Sequence, residues 1–171
     1  MMKIAAITFA VATAGAVVMT PATAQALVSS IIVERGPCLG TCAVYRFRVD
    51  AAGAGLFEGQ RFTTALGKHR FVVTPEAWAA FQAALAPYRP AGTEEITVGH
   101  PRCKQMATDH PSVSVTWQNG KATDRLSFNF GCRDPENAAM ARALTGAPDL
   151  LPVADLIERI RLDEGEFHGR R

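Results

Sequence analysis

Four cysteines, Cys38, Cys42, Cys103 and Cys132, constrain this chain more than any other feature, because each bridge holds two backbone positions within a few ångströms. Three pairings are possible. Cys38 with Cys42 and Cys103 with Cys132 is the preferred one, since each bridge then brackets a compact unit. An extended strand would hold positions i and i+4 about 13 Å apart, whereas bridged Cα atoms sit roughly 4.4 to 6.8 Å apart, so residues 38–42 must turn. Gly40 allows that turn. By chain entropy the short loop contributes about 2 kcal/mol and the longer one about 3.5 kcal/mol.

Whether these cysteines bond to each other or serve metal or redox chemistry depends on the compartment. Residues 1–24 read as a secretory signal peptide. Met1-Met2-Lys3 supplies a positive start, Ile4 to Met19 is an uncharged run, and Ala22-Thr23-Ala24 is a small-x-small cleavage site, with Ala24-Gln25-Ala26 a second one. The run is short against the roughly 20 residues that span a bilayer, so no membrane span is expected after cleavage. Cys38 lies too far downstream to be a lipidated amino terminus. The expectation is a periplasmic or secreted protein with one domain over residues 25–165 and a frayed polar tail over 166–171. Without Lys3, 17 basic side chains face 16 acidic ones and no dense Lys/Arg block occurs, which argues against nucleic acid and anionic lipid as partners.

With 171 residues, 48% of them apolar, the chain is long enough to bury a real core. Ile31, Ile32 and Val33 mark a first strand over 27–34, which breaks at Gly36-Pro37. Ala43, Tyr45, Phe47 and Val49 alternate with Val44, Arg46 and Arg48, a strand with one buried face. The turn at 50–55 returns it as Leu56-Phe57-Glu58, and after a poorly patterned stretch His69 to Val73 is extended again. Thr74-Pro75 opens a helix to Ala86 whose Trp78, Phe81 and Leu85 share a face. Residues 88–108 read as an irregular loop. Val113, Val115 and Trp117 then alternate up to an Asn119-Gly120 turn, and Ala122, Leu126, Phe128 and Phe130 alternate back. Asp124 falls on the apolar face without an evident reason. Asp134-Pro135 starts a second helix, ending at Gly146, and a third spans 152–162. The fold class is α+β: an antiparallel sheet of two or more hairpins with about three helices packed on it, stapled by disulfides.

No catalytic constellation assembles. Asp109, His110 and Ser112 have the residue types of a triad, but neighbours on one extended segment point to opposite faces. Glu94-Glu95 and Asp163-Glu164 read as solvated surface and nominate no acid and base pair. Cys38-x-x-x-Cys42 invites a thiol redox reading, yet it sits between two strands and not at the helix start that lowers a thiol's pKa. His100-Pro101-Arg102-Cys103 has metal-like spacing, but a zinc site needs a second converging pair. No metal and no cofactor is expected, and redox and metal binding stand as the two alternatives.

The run Arg35-Gly36-Pro37-Cys38-Leu39-Gly40-Thr41-Cys42-Ala43-Val44-Tyr45 resembles the opening motif of a family of exported bacterial domains of unknown function with a C-x-G-x-C-P-x-Y signature. Thr108-Asp109-His110-Pro111 resembles that family's second motif, T-D-x-P. Ala43 replaces the usual proline, and Cys103 with Cys132 look like an addition. The resemblance therefore supports the pairing of Cys38 with Cys42. It singles out Arg35, Gly40, Tyr45, Thr108, Asp109 and Pro111 as motif residues and implies no activity. The functional expectation is a non-enzymatic module that binds an unknown protein or envelope component through the 38–42 loop and the Thr108-Asp109 corner. That reading treats Tyr45 as a contact residue whose truncation leaves the fold intact.

Overall fold

The computed structural model describes residues 28–157; the expected signal peptide and the polar tail lie outside the described residues. Seven strands form one sheet: β1 (Ser30–Arg35), β2 (Val44–Asp50), β3 (Ala54–Arg61), β4 (Gly67–Val72), β5 (Thr93–Ile96), β6 (Ser112–Asn119) and β7 (Ala122–Asn129). Their spatial order is β4-β3-β2-β1-β6-β7-β5, and every neighbouring pair is antiparallel except β5 with β7. The α+β class expected from the sequence is correct. Helix α1 (Pro75–Leu85) follows β4, and α2 (Ala138–Gly146) and α3 (Ala154–Ile157) follow β7.

Period-two patterning explains how the layers meet. Ile31 and Val33, Tyr45, Phe47 and Val49, Phe57, Val113, Val115 and Trp117, and Leu126 and Phe128 all face one side and are buried. Trp78, Phe81 and Leu85 of α1 and Met140 and Leu144 of α2 close over that side in a single cluster. The Phe81 ring lies 6.0 Å from that of Phe47 at the centre of the layer. The opposite side carries Glu34, Arg46, Arg48, Ser114, Thr116, Arg125 and Ser127, and no described helix covers it. Arg46 reaches Glu34 at 3.1 Å there.

The first helix starts as expected, with the Thr74 hydroxyl accepting from the Ala77 N–H at 3.3 Å. The second does not. Residues 135–137 form a 3-10 turn before α2 begins, because the Asp134 carboxylate is drawn away to accept from the Lys104 N–H at 3.0 Å. Helix α2 ends at Gly146 as expected, but Gly146 holds a helical φ of −88° and the chain continues into a 3-10 turn over 147–150.

Two further expectations shift. Residues 88–108 are not wholly irregular: Thr93–Ile96 adds β5 alongside β7, too short and too acidic for period-two patterning to reveal. The late hairpin turns on Gly120-Lys121, with Asn119 paired to Ala122, so Val113 meets Phe128 where Leu126 had been expected. Gly120 at φ 56° suits the first central position of a type II′ turn, which only glycine fills without cost. A slip of two residues preserves parity, so the faces stay as read. It also sets Asp124 opposite Trp117, where its carboxylate accepts from the Gly92 N–H at 2.8 Å and from Arg89 Nε at 2.7 Å. The Asp124 carboxyl is held below the usual carboxylate range, first by the Gly92 N–H and then by Arg89. An acidic residue on an apolar face thus fastens the segment after α1 to the sheet.

Candidate functional site

Both cysteine pairs are bonded as preferred: Cys38 to Cys42 with Cα atoms 5.7 Å apart, and Cys103 to Cys132 with Cα atoms 4.8 Å apart. The first closes the loop between β1 and β2, with Gly40 at φ +119°, a conformation that disfavours every side chain. Asp109 holds φ 69°, which aspartate tolerates better than most residues because its short side chain bonds locally. Here the Thr108 hydroxyl donates to Asp109 Oδ2 at 3.1 Å.

These two turns meet. The Leu39 N–H donates to the Asp109 carbonyl at 3.2 Å, which joins the cysteine loop to the 108–111 turn across 70 residues of sequence. The junction is extended by backbone bonds on either side. Gly36 donates to Ser112 at 2.9 Å, Phe130 to Pro111 at 3.1 Å, and Ala107 to Gly131 at 3.0 Å. Leu39, Gly40, Thr41, Thr108 and Asp109 are all exposed at this corner. Arg35, the last residue of β1, lays its guanidinium 4.7 Å over the Phe130 ring, and Arg133 donates to His110 Nε2 at 3.1 Å.

The singled-out residues divide into two groups. Gly40, Thr108, Asp109 and the Cys38–Cys42 bridge converge on the corner, with Arg35 and Pro111 shaping its base. Tyr45 lies elsewhere: it is 5% exposed, its ring 5.9 Å from Phe57 and stacked on Phe47 at 6.2 Å. Tyr45 is therefore a core side chain, and the expectation that it contacts a partner is corrected by its burial. Cys103 and Cys132 lie inside the domain and staple the segment after β5 to the end of β7. His100 sits 3.7 Å from Glu94 and accepts through Nδ1 from the Arg102 N–H. Among the described residues, no three His, Cys, Asp or Glu side chains group as a metal set.

Sequence reasoning missed several residues that build the corner. Asn129 donates to the Ser112 hydroxyl and accepts from the Gly131 N–H at 2.7 Å, an Asx turn that the Asn-x-Gly spacing could have signalled. A Cβ at Gly131 would stand 2.1 Å from the Ala107 carbonyl oxygen, so glycine is required for that close approach. Asn137 is 1% exposed and donates to the carbonyls of Arg102 at 2.6 Å and Cys132 at 3.1 Å, while its Oδ1 has no partner among the described residues. Beside it lies a half-open recess of roughly 190 Å³ lined by Phe128, Phe130, Cys132, Arg133, Asn137 and Ala138. The recess and the exposed corner share Phe130 and Arg133.

Fold and corner together define a disulfide-stapled α+β domain with a single motif-bearing end. The chain belongs to the family described as Domain of unknown function (DUF6438), whose model matches residues 29–147. That span contains both motif segments. No curated protein matches the chain, and no solved structure does.

Proposed function

We propose that this chain is an exported, non-enzymatic binding domain that engages a partner protein or envelope component through the corner built by the Cys38–Cys42 loop and the Thr108–Asp109 turn. The observation that carries the reading is the Leu39–Asp109 backbone bond, which presents both motif turns as one surface. Exposed Leu39 supplies an apolar contact, and Thr108, Asp109 and Thr41 supply polar ones. A staple and a loop-to-loop backbone hydrogen bond hold this surface in one conformation, so less ordering entropy opposes binding. Two bridges suit an oxidising compartment, which agrees with the leader read over residues 1–24.

The test uses substitutions that spare the backbone. Asp109→Gly is compatible with φ 69°, and Leu39→Asp alters only an exposed side chain. Each is expected to abolish recovery of a partner from periplasmic extract while the thermal midpoint stays within about 3 °C of wild type. Recovery at the wild-type level by both variants would defeat the proposal. Turnover of a disulfide substrate by the intact chain, lost in Cys42→Ser, would favour thiol redox chemistry at the half-buried Cys38–Cys42 bridge instead.

A further inference from the structure

Strand β4 closes one side of the sheet, three strands away from β1, whose end bears the corner. The Val73 N–H donates to the Gly53 carbonyl at 2.8 Å, which sets the alternation along the strand. Phe71 and His69 turn their backbone groups toward β3, and Val72, Arg70 and Lys68 turn theirs outward. The side chains of those same three residues stand on the face that no described helix covers. Val72 is 79% exposed, and Leu56, across from Arg70 on β3, is 41% exposed. Neither Lys68 nor Arg70 has an ion-pair partner among the described residues.

An edge of this kind offers a row of outward N–H and C=O groups beside two cations and one apolar side chain. A second copy of the chain does not fit it. The two registers that overlap most of β4 with itself place Lys68 opposite Arg70, or Arg70 opposite Arg70, on one face, and like charges directly opposite are destabilising. We propose that β4 is a docking edge for an extended segment of a partner protein with the pattern apolar-x-acid-x-acid. Added antiparallel, that segment sets its apolar side chain beside Val72 and its two carboxylates beside Arg70 and Lys68. Main-chain hydrogen bonds supply affinity, and the alternating side chains on the uncovered face supply selectivity.

The probe is a blocked synthetic peptide of that pattern, titrated by calorimetry into the intact chain alongside its lysine counterpart and a scrambled version. The acidic peptide is expected to bind at least tenfold more tightly than either. The double variant Lys68→Glu with Arg70→Glu should invert the order of acidic and lysine peptides. Arg70→Pro removes an outward N–H together with the guanidinium and should abolish binding with the near-ultraviolet circular dichroism unchanged, whereas Arg70→Gln, which keeps the N–H, should only weaken it. Equal binding of all three peptides, or of none, overturns the proposal and leaves the cations as guards against edge-to-edge aggregation. It is equally overturned by a zero-length intramolecular crosslink from Lys68 to Glu164 or Glu166, or by self-association that charge reversal removes.

Discussion

Gly40 and Asp109 solve the same problem with different residues, since both stand at positive φ in the turns that meet at the corner. At +119° Gly40 has no side-chain alternative, and Gly40→Ala is expected to cost about 1–3 kcal/mol in urea unfolding. At 69° Asp109 sits in the left-handed helical region. Asp109→Gly should therefore be nearly neutral, and Asp109→Val should lose about 1–2 kcal/mol. Opposite signs at Asp109 under the same assay would show that the turn has another conformation. Gly40 was legible from the bend its bridge requires, whereas Asp109 was legible only as a motif letter. Its backbone angle depends on Leu39, 70 positions away, and no local pattern encodes that contact. Tyr45 teaches the complementary point: a motif residue on the apolar parity of a strand is a core residue first. Asn137 was invisible for a similar reason, because a buried amide serving two distant carbonyls looks like any helix-start polar residue.

At the scale of elements, the cross-links differ in what they hold. The Cys103–Cys132 bridge ties the segment after β5 to the end of β7, and replacing both cysteines with serine should cost about 3.5 kcal/mol. The equivalent change at Cys38 and Cys42 should cost about 2 kcal/mol, with the Leu39 amide exchanging faster as its loop loosens. Asp124 is the third fastening. Its carboxyl is depressed by the Gly92 N–H and by Arg89, so its contribution is present above the ordinary carboxylate range and lost as pH falls through the folded value. Asp124→Asn should lower stability by about 1–2 kcal/mol at pH 7, and the difference from wild type should shrink below about pH 4. A gap that stayed constant down to pH 2 would assign Asp124 a packing role only. Most strands could be read from alternation because one face is buried and the other wet. The exception, β5, is four residues long and carries Glu94 and Glu95, so its place comes from a parallel partner and from the Asp124 clasp.

For the whole molecule, one layer of helices on a seven-stranded sheet gives the domain a covered face, a charged face that no described helix covers, two edges and a motif-bearing end. Phe47 is the centre of the covered face, in ring contact with Tyr45, Phe71 and Phe81, and Phe47→Ala should cost about 3–5 kcal/mol. The motif end is distinguished by joining two turns from opposite halves of the sequence through the sheet's central strands, β1 and β6, which pair over residues 30–35. Packing explains the core and the staples; the exposure of Leu39 at 79% is not explained by packing, and it is the feature the binding account accommodates. The most direct measurement places a photocrosslinking amino acid at position 39 of the protein, with position 150, also exposed, as the reference. The account predicts one dominant adduct from position 39, absent from position 150 and lost in Asp109→Gly with both disulfides intact. Equal labelling from the two positions, or an adduct unaffected by Asp109→Gly, would contradict it.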